Sequence, residues 1–152
     1  NYQLMMDLIH YCARHNIDEI LELPDVKERV DLYFQYEEEF KEQLRKCTKV
    51  YNNLVIIDYR DEEIIYPGNR FMVYTLFPEQ NISIHIFYAK DKDKIVYSTG
   101  KSITNKTSKT NIGELMLKYG GGGHENAGAC QIYKEESEKV LKELIEKINQ
   151  DG

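Results

Sequence analysis

Residues 120–130 read Gly-Gly-Gly-Gly-His-Glu-Asn-Ala-Gly-Ala-Cys, and this run constrains the chain more than any other part of it. Each glycine ordered on folding loses more backbone freedom than any other residue. A plain turn needs one or two of them. Four in succession between a helix and a strand make sense where the backbone must approach something closely. One such use presents successive N–H groups to an anion, as phosphate-binding nests do. A histidine directly after the run, His124, can donate to a phosphate or ribose oxygen. A flexible linker is the bland alternative, but a small-residue run and a strand follow the glycines at once.

The flanking pattern places this loop in a mixed fold. Up to about residue 49 the chain reads as helix: Leu4, Leu8, Ile9, Tyr11 and Cys12 form one apolar stripe. Asp18 precedes a short helical turn, Pro24 breaks it, and a longer helix is expected from there to Leu44. Beyond Lys49 the periodicity changes. Leu54–Ile57 is a short β-branched run of the buried-strand type. A helix is expected from Pro67-Gly68-Asn69 through Phe77. Ile82, Ile84 and Ile86 then alternate with Ser83, His85 and Phe87, a half-buried strand. A turn at Lys90–Asp93 leads into Ile95-Val96-Tyr97, so these two strands should pair antiparallel. Residues 99–110 read as a loop. Asn111 and Glu114 form a capping-box pattern for a helix through Tyr119, which Gly120 would close as a C′ glycine. Cys130–Tyr133 is a last strand and residues 135–148 an amphipathic closing helix. The expected fold class is α/β (α+β): a mixed β-sheet flanked by helices, preceded by a helical connector. The expected division is a connector over 1–49 and one domain over 50–152.

Composition narrows the function. The 152 residues carry a formal net charge of −6, which argues against a general nucleic-acid coat. The basic residues are nevertheless gathered: residues 90–118 hold seven lysines against three acidic side chains. No apolar run reaches the roughly 18–20 residues of a membrane span. Cys12, Cys47 and Cys130 are odd in number and far apart, which points away from a disulfide framework and toward a reducing cytoplasm.

Gly121-Gly122-Gly123-His124-x-x-Ala127 resembles the G-G-G-H-x-x-A signature of the DHH phosphoesterase superfamily, which sits in that family's C-terminal, DHH-associated domain. RecJ-type exonucleases, nanoRNases and cyclic-dinucleotide phosphodiesterases share the arrangement. The resemblance covers roughly residues 50–150. It departs from the family in two places. The motif ends Ala127-Gly128-Ala129 rather than Ala-Ala-Gly. The Ser-x-Arg-Ser element is here Ser102-Ile103-Thr104-Asn105, without the arginine.

The resemblance implies a substrate-binding domain for a nucleotide or short single-stranded oligonucleotide. Gly121, Gly122, Gly123, His124 and Asn126 are its expected contacts, and Lys101, Lys106 and Lys109 would stand in for the arginine. Arg70, at an expected helix start beside Asn69, could also face a phosphate, with a surface ion pair an equal reading. In such enzymes a separate N-terminal domain holds a divalent metal, manganese or magnesium, through motifs that include Asp-His-His. No Asp-His-His occurs here. No cofactor is therefore expected in this chain. The chain is expected to be inactive alone, the binding half of a hydrolase whose other half precedes it; an opening residue of Asn1 rather than Met fits that expectation. A homodimer is a further partner reading, and no membrane partner is expected. Two alternatives stand beside this one: part of an exopolyphosphatase-like enzyme acting on inorganic polyphosphate, or a non-catalytic nucleic-acid module like that of alanyl-tRNA synthetases. A lack of stacking aromatics around the loop would favour polyphosphate, and Tyr119 and Tyr133 keep a ligand with bases open. His85, opposite the isoleucine row of its strand, reads as a packing residue.

Overall fold

Four helices open the chain in a computed structural model that describes residues 2–152: α1 (Tyr2–Cys12), α2 (Ile17–Leu21), α3 (Pro24–Gln35) and α4 (Glu37–Cys47). The chain divides into two compact units, one of residues 1–40 with 66–68 and one of 41–65 with 69–152. In the first unit Asn16, not Asp18, caps α2. Its side chain accepts from the Glu19 N–H, and Glu19 returns the bond to the Asn16 N–H. The long helix expected from Pro24 to Leu44 is interrupted at Tyr36, where neither proline nor glycine stands. The expected apolar stripe of α1 is present but unburied: neither α1 nor α3 buries a residue. Leu4, Leu8, Val26, Val30 and Phe34 instead line an open apolar groove of about 400 Å³.

The second unit is built on one six-stranded sheet. Its strands are β1 (Thr48–Tyr51), β2 (Leu54–Asp58), β3 (Ile82–Tyr88), β4 (Lys94–Lys101), β5 (Gly122–His124) and β6 (Ala127–Tyr133), in the order β1-β2-β3-β4-β6-β5. Only β2 and β3 are parallel, and the crossover between them carries α5 (Met72–Leu76). The mixed, helix-flanked sheet is the architecture expected. The helix expected from residue 69 begins only at Met72, because Asn69 Oδ1 accepts from the Phe71 N–H at 2.9 Å. That Asx turn competes with helix initiation.

Side chains of directly paired residues share a sheet face, so the register defines two surfaces. One face carries Ile56, Ile84 and Tyr97, covered by α6 (Ile112–Leu117) and α7 (Lys134–Asp151) through Ile112, Met116, Leu144 and Ile148. This is the hydrophobic core, and its largest side chains are fully buried. Tyr97 can lie there because its hydroxyl donates to the Ser137 carbonyl at 2.7 Å. Burial pushes that phenol up to about 12. The opposite face is only partly covered. Tyr74 of α5 reaches it, with its hydroxyl 2.8 Å from Ser83 Oγ and donating to the Gly100 carbonyl at 3.1 Å.

Helix α6 starts as the sequence suggests, with Asn111 Oδ1 accepting from the Glu114 N–H, but Glu114 returns no bond, so the cap is one-sided. Its end is a Schellman turn. The Gly121 N–H donates to the Met116 carbonyl and the Gly120 N–H to the Leu117 carbonyl, with Gly120 at φ +75°.

Candidate functional site

The glycine run becomes a strand. Gly122–His124 pair with Ala127–Ala129 through the two-residue turn Glu125-Asn126. The turn is anchored from both sides: the Lys101 N–H donates to the Asn126 carbonyl at 2.9 Å and the Ile112 N–H to the Glu125 carbonyl at 3.1 Å.

The glycines serve different ends. A Cβ on Gly121 would stand 2.0 Å from the Ala129 carbonyl oxygen, and one on Gly123, at φ +152°, 2.3 Å from the Ala127 oxygen. A Cβ on Gly113 of α6 would stand 2.9 Å from the Gly123 carbonyl oxygen and 3.0 Å from the His124 nitrogen. Strand β5 is thus clamped between α6 and β6 at distances only glycine allows. Of the two glycines of β5, Gly122 faces open space, with nothing within 4 Å of a Cβ there. The departure from the Ala-Ala-Gly ending has a local reason as well. Ala127 and Ala129 face the open side, while Gly128 turns toward α6, where a Cβ would stand 2.7 Å from the Gly122 oxygen.

On the partly covered face the register places Ser83, Gly100, Ala127 and His124 in one row, and His85, Ser98, Ala129 and Gly122 in the next. Between them lies a floor of small residues, Gly100, Ser98, Ala127, Ala129 and Gly122. His124 is exposed at its β5 edge, its Nδ1 accepting from the Asn126 N–H at 3.3 Å. Arg70 lies over the other end: its Nη2 would be 3.8 Å from a Cβ on Gly100. The Arg70 guanidinium rests near the Phe71 ring, 5.4 Å from its centroid, and no acceptor among the described residues is hydrogen-bonded to it. The surface ion pair that the sequence allowed for Arg70 does not form among the described residues.

Beside the turn, Lys101, Ser102, Lys106, Ser108 and Asn126 line a cleft of about 400 Å³. Ser102, first residue of the element that lacks the family's arginine, is buried, and its Oγ accepts from the Thr104 and Asn105 N–H groups. Lys101 Nζ sits 3.7 Å from Glu125 Oε1 and 3.5 Å from the Ser108 carbonyl. The predicted residues thus fall into two groups: Arg70, Gly122 and His124 on the partly covered face, and Lys101, Lys106 and Asn126 in the cleft beside the turn. Lys109 falls elsewhere: it lines a separate hollow with Lys118, Lys147 and Asp151. Gly121 and Gly123 are spent on strand packing.

One residue that the sequence suggested only as packing stands at this site. His85 is half-buried on β3, its ring 6.2 Å from Tyr59, and it has no hydrogen-bond partner among the described residues. Burial, and secondarily the Arg70 charge, push its imidazole down to about 4, so it is neutral at physiological pH. Its polar position on an alternating strand was the available signal. Asp58 and Arg60 pair closely, with Glu138 on the second guanidinium nitrogen, and the Cys130 thiol is buried. Among the described residues no three His, Cys, Asp or Glu side chains gather as a metal site, and no helix is long and apolar enough to cross a membrane.

The model of the DHHA1 domain family matches residues 69–150, more than half the chain and the whole of this site. The chain belongs to the DHHA1 domain family. It is thus a DHH-associated domain of the DHH phosphoesterase superfamily. A solved DHHA1 relative, the pGpG-specific phosphodiesterase PggH from Vibrio cholerae, is 59% identical over 99% of this chain, with a TM-score of 0.85. An exopolyphosphatase-related protein from Bacteroides fragilis shares the fold at 19% identity over 99% of this chain, with a TM-score of 0.62. The chain spans about half of each, 51% and 44% of their lengths. No curated protein matches the chain.

Proposed function

We propose that this chain is the substrate-binding part of a metal-dependent phosphoesterase, and that it takes a nucleotide or short oligonucleotide. The observation that carries the reading is the pairing of an unpartnered arginine, Arg70, with an exposed histidine, His124, across one small-residue floor. Unpaired cationic and donor groups around an open floor suit an anionic ligand with a flat body. The name of the 59%-identical relative, a pGpG-specific phosphodiesterase, supports a nucleotide over inorganic polyphosphate.

In this reading the phosphate lies at the β5 edge. His124 and the open backbone at Gly122 face it, and Lys101, Lys106 and Asn126 add charge and donors from the cleft. The helix α6 ends at this loop, so its dipole presents the wrong sign to an anion. The positive partners are side chains and strand N–H groups. Binding here is remote from the scissile bond and orients the substrate for a catalytic centre elsewhere. A preceding domain supplies that centre and its divalent metal. The helices α1 to α4 act as the connector to it, and the unburied apolar stripe of α1 and α3 fits a surface that meets further protein.

His124→Ala tests the site. A charge-assisted hydrogen bond to phosphate contributes about 1.5–3 kcal/mol, so affinity for a mononucleotide should fall roughly 10–100-fold. Circular dichroism should be unchanged, because His124 is an exposed edge residue. Calorimetry with GMP on both proteins decides it, and equal affinity would remove His124 from the site.

The chain by itself should not hydrolyse a phosphodiester when manganese is added. It offers no cluster of three or more hard ligands among the described residues. Turnover of bis(p-nitrophenyl) phosphate by the purified chain, abolished by a chelator, would overturn this expectation.

A further inference from the structure

The floor has two ends of different chemistry, and only the His124 end is accounted for by a phosphate. At the opposite end stand Arg70 over Gly100, His85 on β3 and Ser98 on β4, three groups without a hydrogen-bond partner among the described residues. None is anionic. His85 pairs with Ser98, and Ser98 with Ala129, so His85, Ser98 and Ala129 lie side by side on the open face. From β3 to β5 the floor spans three strand spacings, about 14 Å. A nucleotide with its phosphate at His124 thus extends its base toward Arg70 and His85.

We propose that Arg70 and His85 read the Hoogsteen edge of a guanine whose ring lies on Ser98, Ala127 and Ala129. This rests on the phosphate assignment just given. Guanine presents two acceptors on that edge, O6 and N7, whereas adenine presents one acceptor and one donor, the N6 amino group. A guanidinium donates only, and its fork matches the O6/N7 pair. A neutral imidazole can donate one further N–H. Opposite adenine, the amino group would face the arginine donor to donor. The site therefore discriminates by the unmet donor as well as by the bonds made. The imidazole stays neutral because of its burial and the adjacent Arg70 charge. It therefore adds no second cation beside the arginine.

The test is calorimetry on the full chain with GMP, IMP, 7-deaza-GMP, AMP and ribose 5-phosphate. IMP keeps O6 and N7 and should bind like GMP. AMP, and 7-deaza-GMP which lacks N7, should each bind roughly tenfold more weakly than GMP. Arg70→Ala should bring GMP down to the AMP value, and His85→Phe, which keeps the ring volume, should narrow the gap. His124→Ala should weaken all five ligands alike. Equal binding of GMP, AMP and ribose 5-phosphate would overturn the base assignment and leave the phosphate site standing. A GMP preference over IMP, or one that survives Arg70→Ala, would overturn the Hoogsteen contact. Absence of binding by all five would overturn the phosphate assignment, and this one with it.

Discussion

Gly121→Ala is expected to destabilise the chain by about 3 kcal/mol or more, the upper range for overpacking a tight site. The added Cβ would stand 2.0 Å from the Ala129 carbonyl oxygen and 2.7 Å from both Cα and Cβ of Cys130. Those are backbone and root atoms of β6, held in register by β4 on the other side, so no flexible side-chain tip can swing away. Relief requires β5 to separate from β6. That would also free the turn whose carbonyls accept from Lys101 and Ile112. The Gly122→Ala variant is the matched control. Its Cβ meets nothing within 4 Å, so its stability should stay within about 0.5 kcal/mol of the parent. If the backbone at 122 approaches a phosphate, the same methyl should weaken nucleotide binding in a fully folded protein. Urea unfolding separates the two: a Gly121→Ala midpoint equal to the parent's would show that β5 does not pack as described.

Leu144→Ala should cost about 2–5 kcal/mol, the range for deleting a fully buried leucine side chain and leaving a cavity. Leu144 lies on α7 among Val140, Ile148 and the core face of the sheet, with no exposed surface. The helix is otherwise strongly charged, and its core face is the contact that holds it to the sheet. Leu117, on the last turn of α6, is 67% exposed, and Leu117→Ala should change stability by less than about 0.5 kcal/mol. Thermal unfolding of the two variants side by side checks the assignment of the core. A Leu144→Ala loss no greater than that of Leu117→Ala would contradict it.

Local chemistry made much of this protein readable from its residues. The β-branched run of β2 and the alternation of β3 are driven by burial on one or both faces, and burial leaves a period. Gly120 closes α6 because a Schellman turn needs a left-handed residue at that point, a demand set by backbone sterics alone. The G-G-G-H-x-x-A run pointed to the family because its spacing serves one strand-turn-strand geometry.

Tertiary structure decided what has no local cause. Strands β1 and β5 lie at the two edges of the sheet and are mostly exposed, so no hydrophobic alternation marks them. They exist because a neighbouring strand offers hydrogen bonds. The close approach that Gly121 and Gly123 require is made to β6, and only packing shows that Gly122 between them is left open. Lys106 and Lys109 are three residues apart, yet line separate hollows. Arg70, His85 and His124 come from a turn, a central strand and an edge strand, and no spacing rule links them. Strand pairing sets which residues share a face and which strand lies beside which. That is a property of the folded sheet, and it set a half-buried histidine and an unpaired arginine at one end of a surface whose other end is an exposed histidine.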